Sequence, residues 1–184
     1  DGRTVGSSSA GLGADSRTPV EQTLQVSVPR RWDVDTPELY TVVTELRARE
    51  IVLDRTRTPF GIRAAEWDVD RGFLLNGRVV KLNGVCMHHD LGPLGAAHNQ
   101  RALERQWDLL IEMGCNALRT SHNPPSPELL DLCDRRGILV LDEAFDEWKG
   151  KKVPNGYHTL FGEWAERDLR ALIRRDRNHP CVIA

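Results

Sequence analysis

The chain has 184 residues, a hydrophobic fraction of 40%, a charged fraction of 28% and a formal net charge of −2. That is the balance of a globular protein with one good core or parts of two domains. Lys and Arg are scattered and no apolar run is long enough to span a bilayer, so neither a nucleic acid nor a membrane is expected as a partner.

Residues 1–20 are rich in Gly, Ser and Ala and read as loop or disordered chain. In residues 23–28, Leu24, Val26 and Val28 alternate with polar residues and predict a half-buried strand, broken by Pro29 and then Asp35-Thr36-Pro37. Strands are expected at 39–46 and 51–54, with 47–50 as a hairpin turn, and a fourth at 60–67. Residues 21–66 thus read as the closing strands of a small β-sandwich.

From 67 onward the texture changes. Residues 73–75 and 79–82 flank Asn76-Gly77, a strong hairpin signal. An apolar run at 80–86 leads into His88-His89-Asp90 and a Gly-rich loop. The spacing of Leu103, Trp107, Leu110 and Ile111 predicts a helix over 101–113, capped by Asn99 and ended by Gly114. A short strand at 116–118 follows, with Arg119 and His122 just past its end and Pro124-Pro125 forbidding its continuation. Residues 126–136 predict a helix with Ser126 as N-cap, Pro127 at its first position and Gly137 closing it. Residues 138–141 form an apolar strand ending in Asp142-Glu143. A helix is expected over 161–176 with Phe161, Trp164, Leu172 and Ile173 inward, and Val182-Ile183 begin another strand.

Apolar strands alternating with helices through short connections imply a parallel sheet. The expected fold is a multidomain fragment, β-sandwich strands followed by the N-terminal half of a (β/α) barrel over 67–184. The four cysteines, Cys86, Cys115, Cys133 and Cys181, contain no CxxC pair and read as buried, reduced thiols, which favours a cytoplasmic compartment.

Three strand ends carry polar clusters: His88, His89 and Asp90; Arg119, Ser121, His122 and Asn123; and Asp142, Glu143, Asp146, Glu147, Trp148 and Lys149. In a parallel barrel these converge on one face. Imidazoles, a guanidinium, carboxylates and an indole together suit a polyhydroxylated ligand, since hydroxyls need donors and acceptors and an indole can stack on a pyranose. Each has a plainer reading: His88 and His89 as solvent-facing loop, Arg119 clamped to Asp142 or Glu143, Trp148 packed under its loop. A zinc set from His88, His89, Asp90 and His122 matches no zinc signature, and adjacent histidines on extended backbone point apart. No GxSxG, Walker loop or GxGxxG is present.

Several pieces, in order, carry a resemblance. They are Trp32 with Pro37-Glu38-Leu39-Tyr40, Phe60-Gly61-Ile62-Arg63, Leu75-Asn76-Gly77, Leu82-Asn83-Gly84-Val85-Cys86-Met87-His88, Asn116-Ala117-Leu118-Arg119-Thr120-Ser121-His122-Asn123-Pro124-Pro125, Cys133-Asp134-Arg135-Arg136-Gly137-Ile138, Val140-Leu141-Asp142-Glu143 and Arg175-Asp176-Arg177-Asn178-His179-Pro180. From about Trp32 to Ala184 the chain resembles glycoside hydrolase family 2, the β-galactosidase and β-glucuronidase family. The resemblance implies an immunoglobulin-like domain leading into a (β/α)8 TIM barrel. It implies retaining hydrolysis of a terminal β-linked sugar, most simply a β-galactoside, with a β-glucuronidase, a β-mannosidase or a non-catalytic carbohydrate-binding relative as alternatives. It implies substrate-pocket roles for His88, Arg119, His122, Asp142, Glu143 and Trp148, and a small-molecule carbohydrate as partner, with homo-oligomerisation left open. The acid/base and nucleophile carboxylates are expected beyond Ala184, so this segment by itself is expected to be inactive. Some relatives hold magnesium in the loop after the third barrel strand. Glu147 stands where one ligand would be, but Lys149 replaces a histidine, and an ammonium repels a cation. Magnesium in the full-length enzyme is thus left open but disfavoured by Lys149, and no other cofactor is implied.

Overall fold

The structure, a computed structural model, describes residues 2–13, 17 and 19–184. Two compact units result, Asp1–Arg30 and Arg31–Ala184. The described residues of the first form neither helix nor strand. Residues 23–28, expected as a strand, therefore have no ladder there. Alternation marks a face but does not supply a neighbour, and a strand exists only where its backbone groups find one. Positions 1, 14–16 and 18 of the expected loop lie outside the described residues.

In the second unit, β1 (Tyr40–Ala48) pairs antiparallel with β2 (Ile51–Phe60), with an irregularity between Leu46 and Arg47. Both run longer than the apolar pattern suggests. The extension is charged: Glu45 faces Arg55 across the ladder and pairs with it at 2.6 Å, an opposite-charge pair of the kind that supports a ladder. Next, β3 (Ala65–Asp68), β4 (Gly72–Leu75) and β5 (Arg78–Val79) form an antiparallel meander. Its tight turn is Asn76-Gly77, both at positive φ, as the turn chemistry predicts. The strand expected over 60–67 is interrupted. Residues 61–64 leave the ladder because Gly61 is pressed against Pro180 and Arg63 donates to the carbonyls of Pro180 and Val182, each at 2.5 Å.

The third sheet positions the site. β6 (Gly84–Met87), β7 (Ala117–Thr120) and β8 (Leu139–Leu141) are parallel and adjacent in chain order, and a further parallel bridge joins Val140 to Val182. The described strands make an open sheet, not a closed ring. α1 (Gln100–Glu112) and α2 (Pro127–Arg136) are the crossovers, and α3 (Phe161–Asp176) follows β8. Asn99 caps α1 by accepting from the Ala102 N–H at 2.9 Å, and Ser126 caps α2 by accepting from Leu129 at 3.3 Å.

Trp32, Leu75, Trp107, Leu118, Leu130, Ile138, Leu139 and Val140 are buried in one core cluster. Ile111 and Ile173, expected inward, are exposed, and Trp164 is half-buried beneath the Arg167 guanidinium, 4.5 Å from its ring. Their helical stripes are wider than the surface that the described strands cover. All four thiols are free. Cys133 and Cys181 are buried, but Cys86, also expected inside, is exposed.

Asp134 of α2 joins three parts of the unit. Its carbonyl accepts from the Trp32 indole N–H at 2.8 Å, Oδ1 accepts from the Cys181 N–H at 3.0 Å, and Oδ2 lies 2.6 Å from His179 Nδ1. Gly137, just after α2, has φ 70°, and a Cβ there would overlap the Val34 carbonyl. Gly137→Ala is expected to lower the unfolding free energy by about 1–3 kcal/mol through backbone strain, with the overlap added. Denaturant titration reads this directly, and an unchanged midpoint would contradict the close approach.

Candidate active site

The ladder register sets Cys86, Arg119 and Leu141 side by side on β6, β7 and β8. Arg119 therefore lies within its strand rather than past its end. His88, His122 and Glu143 each follow the last residues of one of these strands. Because the strands are adjacent and run the same way, their ends deliver these side chains to one place.

Arg119 grips the Glu143 carboxylate: Nε donates to Oε1, and Nη2 to Oε2 at 3.3 Å. Nη1 reaches Cys86 Sγ at 3.4 Å. His122 Nδ1 lies 3.0 Å from both Arg119 Nη2 and Glu143 Oε2. A guanidinium can only donate, so a protonated Nδ1 serves Glu143, the one acceptor of the pair. The His88 ring meets that of His122 edge-on at 5.5 Å. Behind them, Thr120 Oγ1 accepts from the Glu143 N–H at 2.8 Å and fixes the turn out of β8. Burial works against the charge on Glu143, but Arg119 and then His122 outweigh it and hold its pKa below the usual carboxylate value. Glu143 is thus an ionised acceptor in a cluster of donors. Cys86 and Thr120 were not singled out by sequence reasoning, although a hydroxyl residue beside Arg119, closing a strand that begins apolar, is the signal that marks the buried Thr120.

Asp142 does not join this group. Successive strand residues face opposite ways, and Asp142 lies on the side of α3, near Asp176, Arg175 and His179. Its Oδ1 is buried without a hydrogen-bond partner. Burial, and then the Asp176 carboxylate, push its pKa up to about 7.

Glu147 is not available to a metal. Its carboxylate accepts from the backbone N–H groups of Lys152, of Val153 at 3.2 Å and of His158 at 2.9 Å, and His158 Nδ1 lies 3.0 Å away. The His158 and Lys152 N–H groups pull its pKa down to about 2. Both oxygens are engaged by donors, and Lys149 adds a cation nearby in sequence, so the residues here do not fit magnesium. The zinc set disperses as well: His89 Nε2 lies 3.0 Å from the Ala96 carbonyl and Asp90 Oδ1 accepts from Gly92 N–H, leaving only His88 and His122 together. Asp134, His179 and Cys181 offer ligand atoms within 4.8 Å of one another. Their bonds are internal, however, and Arg63 stands close enough to act on Asp134 and Cys181 electrostatically. Trp148 is exposed on the loop after Glu143, against Phe161. The larger cavity lies behind that loop, lined by Phe145, Tyr157, Leu172 and Arg175 among others, and none of the four clustered residues lines it.

The family model described as glycosyl hydrolases family 2, TIM barrel domain, matches residues 69–184, and a second, described as glycosyl hydrolases family 2, matches residues 1–63. The β-galactosidase BoGH2A of Bacteroides ovatus is 55% identical over 185 aligned positions, covering 100% of this chain and 22% of that protein. A putative β-glucuronidase of Formosa agariphila is 42% identical over 87% of this chain and 16% of its own length. The crystal structure of a glycosyl hydrolase family 2 member from Bacteroides cellulosilyticus superposes with a TM-score of 0.83 at 46% identity, over 86% of this chain and 20% of that one. The chain thus spans about a fifth of the length of these relatives. Among the described residues no helix is long and apolar enough to cross a membrane.

The adjacent carboxylates at the end of β8 respond oppositely to pH. A carboxyl whose pKa is higher folded than unfolded keeps its stabilising contribution below the unfolded value, about 3.9, and loses it as pH rises through the folded value. For Asp142 that window runs up to about 7. Asp142→Asn removes the ionisation, so its melting temperature is expected to gain on that of the wild type between pH 5 and pH 8 and to level off above. A difference that stays constant with pH would show that Asp142 ionises freely.

Proposed function

The chain belongs to glycosyl hydrolase family 2, and from that premise we propose that it forms the sugar-pocket part of a retaining exo-β-glycosidase that cleaves terminal β-galactosides. The observation that carries this reading is the convergence of His88, Arg119, His122 and Glu143 at the ends of three parallel strands. A pyranose presents hydroxyls that both donate and accept. Ionised Glu143 accepts from them, the Arg119 guanidinium donates, and the ring nitrogens of His88 and His122 donate or accept according to tautomer. Arg119 also fixes the direction of Glu143, so the acceptor is oriented before the sugar arrives.

Retention needs two carboxyl groups about 5 Å apart, one to protonate the leaving oxygen and one to attack the anomeric carbon. Glu143 does not suit the acid role, because its neighbours stabilise the ionised form. In this reading the two reacting carboxylates come from other parts of the full-length protein, and the residues here bind and orient the sugar. The β-galactoside preference follows the B. ovatus relative, which matches the chain over its whole length. Asp142, directed toward α3, has no part in the pocket.

The test uses the full-length protein with p-nitrophenyl β-galactoside and p-nitrophenyl β-glucuronide. The galactoside is expected to be the better substrate. Arg119→Ala is expected to lower kcat/KM by about 10²-fold, the scale of losing one oriented charged donor. Arg119→Lys should recover little, since a point charge cannot hold both oxygens of Glu143. Hydrolysis of neither glycoside would overturn the reading, and an unchanged Arg119→Ala would remove that residue from the pocket.

A further inference from the structure

We propose that the exposed face of Trp148 is the platform for the sugar on the leaving-group side of the cleaved bond, so that the full-length enzyme favours substrates whose leaving group is itself a pyranose. This rests on the glycosidase reading above and adds to it the class of leaving group.

The loop that carries Trp148 is held from beneath. Glu147, the residue before it, receives the backbone N–H groups of Lys152, Val153 and His158, drawing the two limbs of the loop onto one carboxylate. A side chain at Gly156 would collide with that carboxylate. Lys152 Nζ closes the near limb onto Asp146 Oδ1 at 2.9 Å. A stack of rings then supports the indole: Trp148 lies 5.7 Å from Phe161 at 26°, Phe145 meets it edge-on at 6.2 Å, and Tyr157 stacks on Phe145 at 5.1 Å.

Despite this support Trp148 is 64% exposed, whereas Trp32 and Trp107 are fully buried and Trp67, also exposed, donates its indole N–H to the Ile183 carbonyl. A large apolar ring kept in water on a fastened loop, with aromatic backing, is suited to receiving a flat apolar partner. The loop begins at Glu143 and Asp146 lies within electrostatic reach of His122, so the segment that carries the indole rises directly from the polar cluster. The inner cluster, made of charged donors and acceptors, suits the sugar being cleaved. In an exo-acting enzyme that terminal sugar occupies the inner position, so what passes over an outer aromatic surface is the remainder of the substrate. The C–H face of a pyranose matches an indole, while its hydroxyls stay in water.

The experiment measures kcat/KM of the full-length enzyme on lactose and on methyl β-galactoside, which share the galactosyl group and differ in whether the leaving group is a ring. In Trp148→Ala the ratio of lactose to methyl β-galactoside should fall about tenfold, equivalent to roughly 1.4 kcal/mol, and Trp148→Phe should recover most of it where Trp148→Leu does not. A ratio unchanged in Trp148→Ala overturns the platform, even where both rates drop. If the wild type cleaves neither sugar, the β-galactoside preference fails by itself. Saturation-transfer NMR with free glucose then decides the platform: transfer lost in Trp148→Ala supports it, and no transfer to the wild type overturns it.

Discussion

The Arg31–Ala184 unit depends on one buried carboxylate. Asp134 sits in an apolar setting where an unpaired charge would cost several kcal/mol, and it is satisfied by groups from widely separated parts of the chain. Through its side chain it holds His179 and the Cys181 N–H, and through its carbonyl the Trp32 indole. Burial disfavours a charged His179, yet Asp134 raises its pKa overall, so the contact has ionic character. These bonds fix the segment around Val182, which in turn bridges to β8 at Val140. The direction of β8, and hence the place of Glu143, follows from a network that shares no residue with the polar cluster.

A separation of faces governs the strand end. Asp142 and Glu143 are neighbours in sequence and opposites in environment. One is desolvated beside another carboxylate, and the other is wrapped by a guanidinium and an imidazole. The pleat makes the difference. The parallel register sets Cys86 beside Arg119, so the guanidinium reaches both Cys86 Sγ and the Glu143 carboxylate.

Elements with strong local chemistry were legible in the sequence. Asn99, Ser126 and Gly137 marked helix ends that the structure places as expected, and Asn76-Gly77 marked the meander turn. The parallel order of β6, β7 and β8 followed from apolar strands between helices. Features set by distant partners were not legible. Residues 61–64 read as strand, but Pro180 and Arg63 contacts more than a hundred residues apart in sequence override that pattern. Residues 23–28 alternate without a partner. At the site, the grouping of His88, Arg119, His122 and Glu143 could be read from strand order, while the exclusion of Asp142 needed the parity of the strand. Glu147 entered as a possible ligand through the family resemblance, and nothing in its neighbouring sequence hints that backbone N–H groups claim both its oxygens.

The Glu147 anchor has an evolutionary corollary. Since a single side chain ties both limbs of the loop, the four residues from Trp148 to Lys151 form a tip whose length and chemistry can drift without disturbing the strands below. Substitution there would reshape the outer surface of the loop while leaving the grouping of His88, Arg119, His122 and Glu143 in place, a division between a heritable chassis and an exchangeable fingertip.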